Sequence, residues 1–348
     1  MSRPLRVALV GYGLAGRYFH RPLIQATDDL RLVSIVTTNS ERGVQARADV
    51  PQVDVISDAS ALWHDADEYD LVVVAAANVA HEPLTRAALA HGLHVVVDKP
   101  LAADARTARS LLDLAAHHHR QLHVFQNRRW DSDYRTLRAL VEDATLGRVH
   151  RLESRFERWR PEVADRWRES RDPQQMGGLL YDLGAHLVDQ AVHLLGPAER
   201  VYAEMAHVRD PEAAEDDVFV ALRHHSGAAS HLWASAVAGA PGPRFRVLGS
   251  HGAYVVDGLD GQEARLRAGE VPGPGWGEEP PESWGRLLPS QEVVPSLPGA
   301  WPTFYQRVAA SLRGRGRPPV EPDSVLDAIA VLDAARESAQ TGRVVRLT

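Results

Sequence analysis

The sequence predicts an α/β protein made of a doubly wound parallel sheet at the N-terminus and a C-terminal α/β domain with an open, mostly antiparallel sheet. Three observations predict this fold class. An apolar run, Val7–Val10, leads into Gly-x-Gly-x-x-Gly from Gly11, the sequence that opens a dinucleotide-binding βαβ unit. Apolar runs of strand length alternate with helical segments as far as Phe125, which is typical of a parallel sheet covered on both faces. Beyond Asn127, strand-like runs follow one another with few helices between them.

Length and composition limit the class of protein. The chain has 348 residues, of which 44% are apolar and 24% charged, and this suits two domains. We predict a dinucleotide-binding Rossmann domain over residues 1–124 and a substrate-binding and oligomerisation domain over residues 125–348. The formal net charge of −7 argues against nucleic acid or an anionic membrane as partner. Without cysteine the chain offers no disulfide and no thiolate, and without a long apolar stretch or a secretory signal we expect a cytoplasmic location.

The first domain is predicted to contain six strands. They are Val7–Val10, Leu32–Val36, Val53–Ile56, Leu71–Ala75, His94–Val97 and Leu122–Phe125. A helix follows Gly16, but Pro22 cannot stand in a helix interior without removing a hydrogen bond, so we expect a break near this proline. Further helices are predicted over His81–His91 and from Ala102 to His119.

In the second domain, alternating apolar and polar residues predict six strands. They are Val149–Phe156, Val201–Val208, Val218–Leu222, Ala228–Ala234, Phe245–Leu248 and Ala253–Val256. One helix, Leu179–Leu195, interrupts them. Residues 269–300 are rich in Pro and Gly without a sustained period, and they are predicted to form a long loop or arm. Two helices, Thr303–Leu312 and Asp323–Gln340, follow.

The glycine motif is a candidate phosphate-binding turn. Gly11, Gly13 and Gly16 would allow a tight turn, close approach of the backbone to a pyrophosphate, and close packing of the next helix. Leu14 and Ala15 stand inside the motif, where the N–H groups of the helix N-terminus would face the phosphates. The motif alone also suits an ordinary strand-turn-helix, and the surrounding strand pattern favours the cofactor site.

The second predicted strand ends about twenty residues after the glycines, where the adenosine ribose of the cofactor would be recognised. NAD-binding proteins typically carry an acidic residue here. Thr37, Thr38, Asn39 and Arg42 instead supply hydroxyls, an amide and a cation, all of which can bind a 2′-phosphate. We therefore predict NADP as the preferred cofactor, and Glu41 leaves NAD open.

Three side chains are candidates for catalysis. Lys99 follows the fifth strand, and open α/β sheets bind ligands outside the carboxyl ends of their strands. The alternative is a solvated lysine at a strand end. Asp182 and His186 are four residues apart in a predicted helix and share a face. Because histidine titrates near neutral pH, His186 is the candidate base, and a structural Asp–His hydrogen bond is the alternative. The ligands for a metal site are lacking, so we predict none.

Two other clusters have simpler interpretations. His117, His118 and His119, with His123 nearby, suggest a metal-binding tract. Consecutive helical residues point in different directions, however, so we predict a polar helix end. Residues 158–168 combine four arginines with two tryptophans. Because the chain is acidic overall, we predict a substrate-side or surface patch there rather than a nucleic-acid site.

Together these motifs resemble the Gfo/Idh/MocA oxidoreductase family over essentially the whole chain. The resemblance lies in Gly-x-Gly-x-x-Gly from Gly11, Asn78-x-x-His81, Asp98-Lys99-Pro100 and Asp182-x-x-x-His186. Three more stretches are similar to the branch that contains NADP-dependent scyllo-inositol dehydrogenase. They are Asn127-Arg128-Arg129-Trp130-Asp131, Arg158-Trp159-Arg160-Pro161 with Arg166-Trp167-Arg168, and Pro298-Gly299-x-Trp301-Pro302-x-x-Tyr305. The sequence departs from the family pattern at Asp98, where Glu is commoner, and at Ala77, where Pro is usual.

The resemblance implies a role for each motif. It implies that Lys99, Asp182 and His186 act together in catalysis. On the cofactor side it adds Ala76, Asn78, His81, Asp98 and Lys99 to the glycine turn and the ribose segment. On the substrate side it indicates Lys99, Asn127, Arg129, Trp130, Arg160, Trp167, Asp182 and His186. It also implies a homodimer or homotetramer formed through the open sheet.

The expected function is that of an NADP-dependent oxidoreductase. It would transfer a hydride between nicotinamide and a carbinol or keto carbon of a small polyol, an inositol or a sugar. One alternative is an NAD-dependent sugar dehydrogenase. Another is a regulatory protein that senses a sugar or NADP on the same scaffold without catalysis, because a fold does not define a function. A third is a relative that uses bound nicotinamide for transient oxidation, as some glycosidases do.

Overall fold

The computed structural model describes residues 3–163, 167–172 and 175–347. In these residues the first sheet comprises β1 (Leu5–Val10), β2 (Leu30–Val36), β3 (Asp54–Ile56), β4 (Leu71–Val74), β5 (His94–Asp98) and β6 (Leu122–Phe125). The helices of this part are α1 (Arg21–Gln25), α2 (Ser40–Asp49), α3 (Ser60–His64), α4 (His81–Ala90) and α5 (Ala105–His117). Every strand predicted for the first domain is present.

The first sheet is parallel throughout, in the order β3-β2-β1-β4-β5-β6. Val10 of β1 pairs with Val36 of β2 on one side and with Val74 of β4 on the other. The strand order therefore reverses between β1 and β4, and ligands bind at such a switch point. All residues of β4 are buried, as expected of a parallel strand covered on both faces. The predicted doubly wound sheet is confirmed.

Local chemistry sets the helices beside the switch point. The Asn39 side chain accepts a hydrogen bond of 2.9 Å from the backbone N–H of Arg42 and so caps α2. Residues Gly16–His20 form a π-helical turn that passes into α1, and Pro22 lies in the first turn of α1. Residues 14–25 are helical without interruption, so the expected break near Pro22 is wrong. The helix changes from π to α type at Arg21, and the wider π turn accommodates the proline.

The second sheet comprises β7 (Val149–Glu157), β8 (Ala198–Ala206), β9 (Asp217–His224), β10 (Ala229–Ser235), β11 (Phe245–Gly249), β12 (Gly252–Val256), β13 (Gly285–Leu288), β14 (Val293–Val294) and β15 (Val345–Arg346). Its order is β14-β13-β12-β11-β7-β10-β9-β8-β15. The helices of this part are α6 (Ser132–Glu142), α7 (Ala185–Leu195), α8 (Gln262–Arg267), α9 (Pro302–Leu312) and α10 (Pro322–Thr341). The pair β7 and β10 is parallel and the other described pairs are antiparallel, which confirms the mostly antiparallel sheet.

The two sheets have separate cores. Val188 of α7 and Val331 of α10 pack with Leu232 of β10 in the core of the second sheet. Helix α9 instead buries Phe304 and Tyr305 in the core of the first sheet. The chain therefore returns to the first domain after the second sheet. The predicted boundary between residues 124 and 125 stays a prediction.

Some elements differ from the prediction. The prediction omits α6, although its buried Tyr134 and Leu137 have helical spacing. Residues 269–300, predicted as an arm, contain β13 and β14, and β15 follows α10 without having been predicted. Strands of two to four residues are too short for alternation to show in a sequence. They form because a longer strand beside them supplies hydrogen-bonding partners.

Candidate active site

A cleft of about 620 Å³, called here the main cleft, opens at the carboxyl ends of β1, β2 and β4. Its lining includes Gly11, Gly13, Leu14, Ala15, Thr37, Thr38, Arg42, Ala76, Asn78, Asp98, Lys99 and Asp182. An inner cavity of about 120 Å³ lies beside it. Leu14, Ala15, Asp98, Lys99, Arg168 and Asp182 line both spaces. The candidate phosphate turn, ribose segment and catalytic lysine therefore lie along one continuous surface.

The glycine turn leaves no room for a side chain at Gly11 or Gly16. Gly11 has a φ of +100°, and a Cβ there would lie 2.5 Å from the carbonyl oxygen of Ala75. A Cβ on Gly16 would lie 2.0 Å from the carbonyl oxygen of Gly11, so the following helix begins directly on the turn. At Gly13 a Cβ would instead point toward Arg42 Nη1, 3.6 Å away. This bare backbone beside a helix N-terminus fits the pyrophosphate of a dinucleotide.

A small polar cluster attaches this turn to α2. The Tyr12 hydroxyl donates a hydrogen bond to Asp49 Oδ2 at 2.8 Å, and Arg17 Nε donates to the same oxygen at 2.7 Å. Asp49 is the last residue of α2, whose first turn carries Arg42. The phosphate turn and the ribose segment are therefore held in a fixed relation. The sequence analysis missed Tyr12 in this role.

The ribose end of the cleft carries two threonine hydroxyls, the cation Arg42 and the carboxylate Asp58. Thr37, Thr38 and Arg42 line it, and within the described residues the Arg42 guanidinium has no hydrogen-bonding or ion-pair partner. The Asn39 side chain caps α2 and lies outside the lining, as does the exposed Glu41. The Glu41 carboxylate, which kept NAD as an alternative in the sequence analysis, is thus not on the cleft surface.

Lys99 and Asp182 meet across the domain interface. Lys99 Nζ donates a hydrogen bond of 2.6 Å to the backbone carbonyl of Asp182 and lies 3.3 Å from Asp182 Oδ1. The Lys99 side chain is 13% exposed and that of Asp182 37%, so both are within reach of a ligand while largely enclosed. Lys99 is also the only lysine in the sequence.

Asp98 supports Lys99 from the β5 side. Its Oδ1 accepts a hydrogen bond of 2.8 Å from the backbone N–H of Lys99. His20 Nε2 lies 3.9 Å from Asp98 Oδ2, and His20 Nδ1 forms a 2.6 Å hydrogen bond with the Tyr305 hydroxyl. Burial alone would raise the pKa of Asp98, but His20 and Lys99 hold it below its usual value. The carboxylate is therefore ionised and can position the lysine backbone.

Asp182 lies in a π-helical turn, Leu180–Gly184, that precedes α7. Such turns are frequent at functional sites. Gly178 has a φ of +87°, and a Cβ there would lie 2.1 Å from Glu215 Oε1. The same oxygen accepts a hydrogen bond of 3.1 Å from the N–H of Leu180. Glu215 thus anchors the start of the turn that places Asp182 against Lys99.

His186 follows in α7 and lines the inner cavity while only 7% exposed. Its Nδ1 is buried without a partner in the described part of the chain. Burial, followed by the positive charges of Lys99 and Arg128, lowers the pKa of His186 well below its usual value. The imidazole is therefore neutral at pH 7 and able to accept a proton. Burial opposes ionisation of Asp182, but Lys99 and Arg168 outweigh it and lower the pKa of that carboxyl.

Three residues that the resemblance associates with ligands lie outside the lining of both spaces. His81 is fully buried, and its Nδ1 is 2.7 Å from the carbonyl oxygen of Pro100. Arg129 donates hydrogen bonds of 2.8 and 2.6 Å to the two carboxylate oxygens of Asp189. Trp130 is 8% exposed and belongs to the first core. Their side chains bind or pack against other parts of the protein, so in this structure they have a structural role next to the site.

Other predicted residues do reach the ligand spaces. Asn127 and Arg160 line the inner cavity, and Trp167 lines the main cleft. Asn78 lines the main cleft and donates a hydrogen bond of 3.1 Å to the carbonyl of Met176, which adds a second contact between the domains. The structure thus brings residues from both domains to one site.

The sequence analysis missed part of the lining. Arg158 belongs to the stretch that was predicted only as a patch, and its neighbour Arg160 was the available signal. Glu263 and Arg267 of α8 also line the inner cavity. Nothing local marks them, because α8 is a short helix that only the tertiary fold brings to the site. Arg166 of the predicted patch lies outside the described residues.

Within residues 3–163, 167–172 and 175–347, no group of three or more histidine and carboxylate side chains is placed to hold a metal ion. His117 and His118 contact each other edge to face, with ring centroids 5.2 Å apart. No helix within the same ranges is long and apolar enough to cross a membrane.

The fold and the site define a class. A glycine turn at the switch point of a parallel sheet, together with a lysine, an aspartate and a neutral histidine from two domains, is the arrangement of a dinucleotide-binding oxidoreductase. Comparison with known proteins agrees. Residues 5–126 match the family described as "Oxidoreductase family, NAD-binding Rossmann fold", and residues 138–347 match its "C-terminal alpha/beta domain". The chain belongs to the Gfo/Idh/MocA oxidoreductase family.

Individual relatives are similar over the full length. The uncharacterized oxidoreductase YdgJ of Escherichia coli is 39% identical over 345 residues, which cover 98% of each chain. The scyllo-inositol 2-dehydrogenase (NADP(+)) IolW of Bacillus subtilis is 32% identical over 350 residues, covering 99% of this chain and 96% of IolW. Among solved structures, the putative oxidoreductase yvaA of Bacillus subtilis matches with a TM-score of 0.94 at 32% identity, covering 100% of this chain and 99% of yvaA.

Proposed function

We propose that this protein is an NADP-preferring dehydrogenase that transfers a hydride between nicotinamide and a carbinol or keto carbon of an inositol or sugar. The observation that carries the proposal is the contact of Lys99 Nζ with Asp182, 2.6 Å from its carbonyl oxygen, beside the neutral imidazole of His186. A nicotinamide dinucleotide, when bound, supplies the hydride chemistry. The protein must then bind the substrate, orient it and move one proton.

Each of the three side chains has a distinct part. His186 accepts the hydroxyl proton during oxidation and returns it during reduction, because its ring is neutral and its Nδ1 has no partner in the described residues. Lys99 donates a hydrogen bond to the reacting oxygen and stabilises the negative charge that develops there. Asp182 holds Lys99 in place through Oδ1 and offers its second oxygen to a substrate hydroxyl.

The preference for NADP is supported by the ribose end of the main cleft. Thr37, Thr38 and Arg42 present donors to a 2′-phosphate, and Glu41 lies off the cleft surface, which leaves Asp58 as the carboxylate in the lining at this end. The similar IolW is described as NADP-dependent. Its name is also the support for an inositol among the candidate substrates.

The test is turnover of the purified protein. Reduced nicotinamide is followed by absorbance with NADP⁺ and with NAD⁺ across inositols and aldoses, and in reverse with their keto forms. We expect oxidation of at least one compound, faster with NADP⁺. Lys99→Ala should lower kcat by about 10²- to 10³-fold, the usual loss for one charge-stabilising donor, and leave NADPH affinity nearly unchanged.

Arg106→Ala is the matched control, since Arg106 is an exposed cation on α5 outside both ligand spaces. It should keep wild-type turnover. A folded protein that binds NADPH yet oxidises or reduces no compound would contradict a dehydrogenase and favour the sugar- or NADP-sensing alternative. If a glycoside is converted but no reduced cofactor is released into solution, the result would favour the alternative in which bound nicotinamide oxidises the substrate transiently.

We also propose a homodimer or homotetramer formed through the open face of the second sheet. Phe219 and Trp233 form an aromatic pair on neighbouring strands β9 and β10, with ring centroids 5.2 Å apart, and both side chains are partly exposed. Aromatic side chains are enriched in protein interfaces. Sedimentation equilibrium of the wild type and Trp233→Glu would test this, and a wild-type monomer would contradict it. The cytoplasmic location stays a prediction.

A further inference from the structure

Two arginines, Arg158 and Arg160, line the inner cavity but not the main cleft. Arg158 and Arg160 follow β7, and their backbone N–H groups donate hydrogen bonds of 2.8 and 2.7 Å to the carbonyls of Ser235 and Ala236. In such an extended segment alternate residues point the same way. Trp159 between them is 63% exposed, whereas both arginines line the inner cavity. Both side chains therefore lie on the cavity face of the segment, Arg158 partly buried and Arg160 exposed. They also line a neighbouring pocket with Glu169 and Glu215.

A buried arginine holds this segment in place. Arg209, whose side chain is 5% exposed, forms ion pairs with Asp216 at 2.9 Å and Glu169 at 2.7 Å. Its Nη1 also donates a hydrogen bond of 3.2 Å to the carbonyl of Glu162, just beyond Arg160. The backbone that carries the two arginines is therefore attached at both ends. A fixed backbone reduces the conformational freedom that the two side chains lose when a ligand binds.

The inner cavity has an excess of positive charge. Its cations are Lys99, Arg128, Arg158, Arg160, Arg168 and Arg267. Its carboxylates are Asp98, Asp182 and Glu263. The cations outnumber the acids by 6 − 3 = 3. A neutral polyol does not need this excess, which costs electrostatic repulsion in a partly enclosed space.

The carboxylates of the cavity are already paired with other cations. Asp182 Oδ1 lies 3.3 Å from Lys99 Nζ and 3.7 Å from Arg168 Nε. Glu263 pairs with Arg128 at 2.7 Å and with Arg267 at 2.9 Å.

In the ranges that the structure describes, no carboxylate forms an ion pair with Arg158 or Arg160, and neither side chain donates a hydrogen bond. Burial lowers the pKa of Arg158, the charges of Glu263 and Asp182 oppose this, and those of Arg160 and Arg128 add to it, yet an arginine stays protonated at neutral pH. A ligand with a negative charge would therefore supply the partner that Arg158 and Arg160 lack in these ranges.

The phosphates of a dinucleotide do not supply that charge. Neither Arg158 nor Arg160 lines the main cleft, where the glycine turn lies. The anion must therefore belong to the other reactant.

We propose that the substrate is a polyol or sugar bearing one anionic group, a carboxylate or a phosphate, which Arg158 and Arg160 bind while the reacting carbinol lies at Lys99 and His186. The inference rests on the proposed dehydrogenase function and specifies its substrate class. Guanidinium groups bind carboxylate and phosphate oxygens through paired, charge-assisted hydrogen bonds. The neutral inositol in the name of the similar IolW offers hydroxyl acceptors to these arginines but brings no negative charge to them.

The test compares matched neutral and charged compounds. The pairs are an aldohexose with its uronate and an inositol with its monophosphate, oxidised with NADP⁺ by the wild type, Arg158→Gln, Arg160→Gln and Arg158→Lys. We expect kcat/KM to be about tenfold or more higher for one charged compound than for its neutral partner, which is the effect of a close charge pair at an interface. This ratio should decrease as the salt concentration rises. The uronate and phosphate arms distinguish the two anions.

The variants separate charge recognition from general damage. Each glutamine variant should lose about tenfold in kcat/KM for the charged compound and less than about threefold for its neutral partner, while Arg158→Lys retains part of the preference. Arg151→Gln is the matched control, because Arg151 is an exposed arginine on the same strand, outside the inner cavity. It should behave as the wild type.

Calorimetric titration of the NADPH complex with the same compounds adds a readout that needs no turnover. Oxidation of neutral compounds without any preference for charged ones would refute the inference and retain the proposed function. Binding of a charged compound that Arg158→Gln abolishes, with no oxidation of any compound, would retain the anion site and refute the dehydrogenase. A charged compound that neither binds nor reacts in any pair would refute the inference.

Discussion

Arg42 is the side chain on which the cofactor preference depends most directly. Its Nη1 lies 3.6 Å from the position of a Cβ on Gly13, in the lining of the main cleft with Thr37 and Thr38. Arg42→Ala removes this cation while keeping the backbone N–H that Asn39 accepts at the start of α2. The substitution should therefore spare the helix and change only recognition.

The magnitude follows from the chemistry of the lost contact. A hydrogen bond to a charged group contributes about 1.5–3 kcal/mol, which corresponds to about 10- to 100-fold in Kd. NADH has no 2′-phosphate and loses nothing of this kind. We therefore expect Arg42→Ala to weaken NADPH by that factor and to change the Kd of NADH by less than about twofold.

Both cofactors are titrated by nucleotide fluorescence against the wild type, Arg42→Ala and Arg47→Ala. Arg47 is an exposed arginine on the same helix, outside the lining of the main cleft, so its variant controls for net charge. The preference should also weaken with salt in the wild type and hardly in Arg42→Ala. Equal losses for NADPH and NADH, or no loss for either, would refute the assignment of the 2′-phosphate site to Arg42.

Two predictions concern buried histidines. Since the pKa of His186 is well below its usual value, kcat/KM for oxidation should fall less than about twofold from pH 8 to pH 6; a tenfold loss per unit beginning near pH 7 would contradict this. Burial, aided by His94, lowers the pKa of His123 to about 3. As pH falls, the His123 imidazole is protonated in the unfolded chain before it is protonated in the folded protein. The free energy of unfolding therefore decreases below the pKa that His123 has in the unfolded chain. Urea unfolding at pH 7 and pH 5 should show the wild type losing about 2 kcal/mol more than His123→Phe, whereas equal losses would contradict this.

Several parts of the fold follow from local sequence alone. Val7–Val10 and Leu71–Ala75 are apolar runs that only a strand buried on both faces explains, and the glycines beside them mark the turn. The spacing of Asp182 and His186 places them on one helix face. Such features depend on residues close in sequence, so their pattern can be read without a structure.

Other parts of the site could not be read in this way. Arg129 and Arg158 both lie in stretches that resemble the family. Arg129 forms a buried ion pair with Asp189, however, whereas Arg158 lines the inner cavity. Glu263 comes from α8, more than a hundred residues beyond Arg128, to which it is bound. The partner of a charged side chain depends on packing between elements that are distant in the sequence. It cannot be predicted from the local periodicity of the sequence.

By itself, the sequence determined the parallel sheet, the glycine turn and the lysine at a strand end, because strand burial and turn chemistry act over a few residues. Only the tertiary structure decided that Lys99 meets Asp182 at 2.6 Å, that Glu41 lies off the cleft, and that Arg158 stands without a carboxylate partner in the described residues. The physical reason is that these facts depend on contacts between side chains that are distant in the sequence and meet only when the chain has folded. Coulombic and hydrogen-bonding energies depend on distances, and only the folded chain sets them.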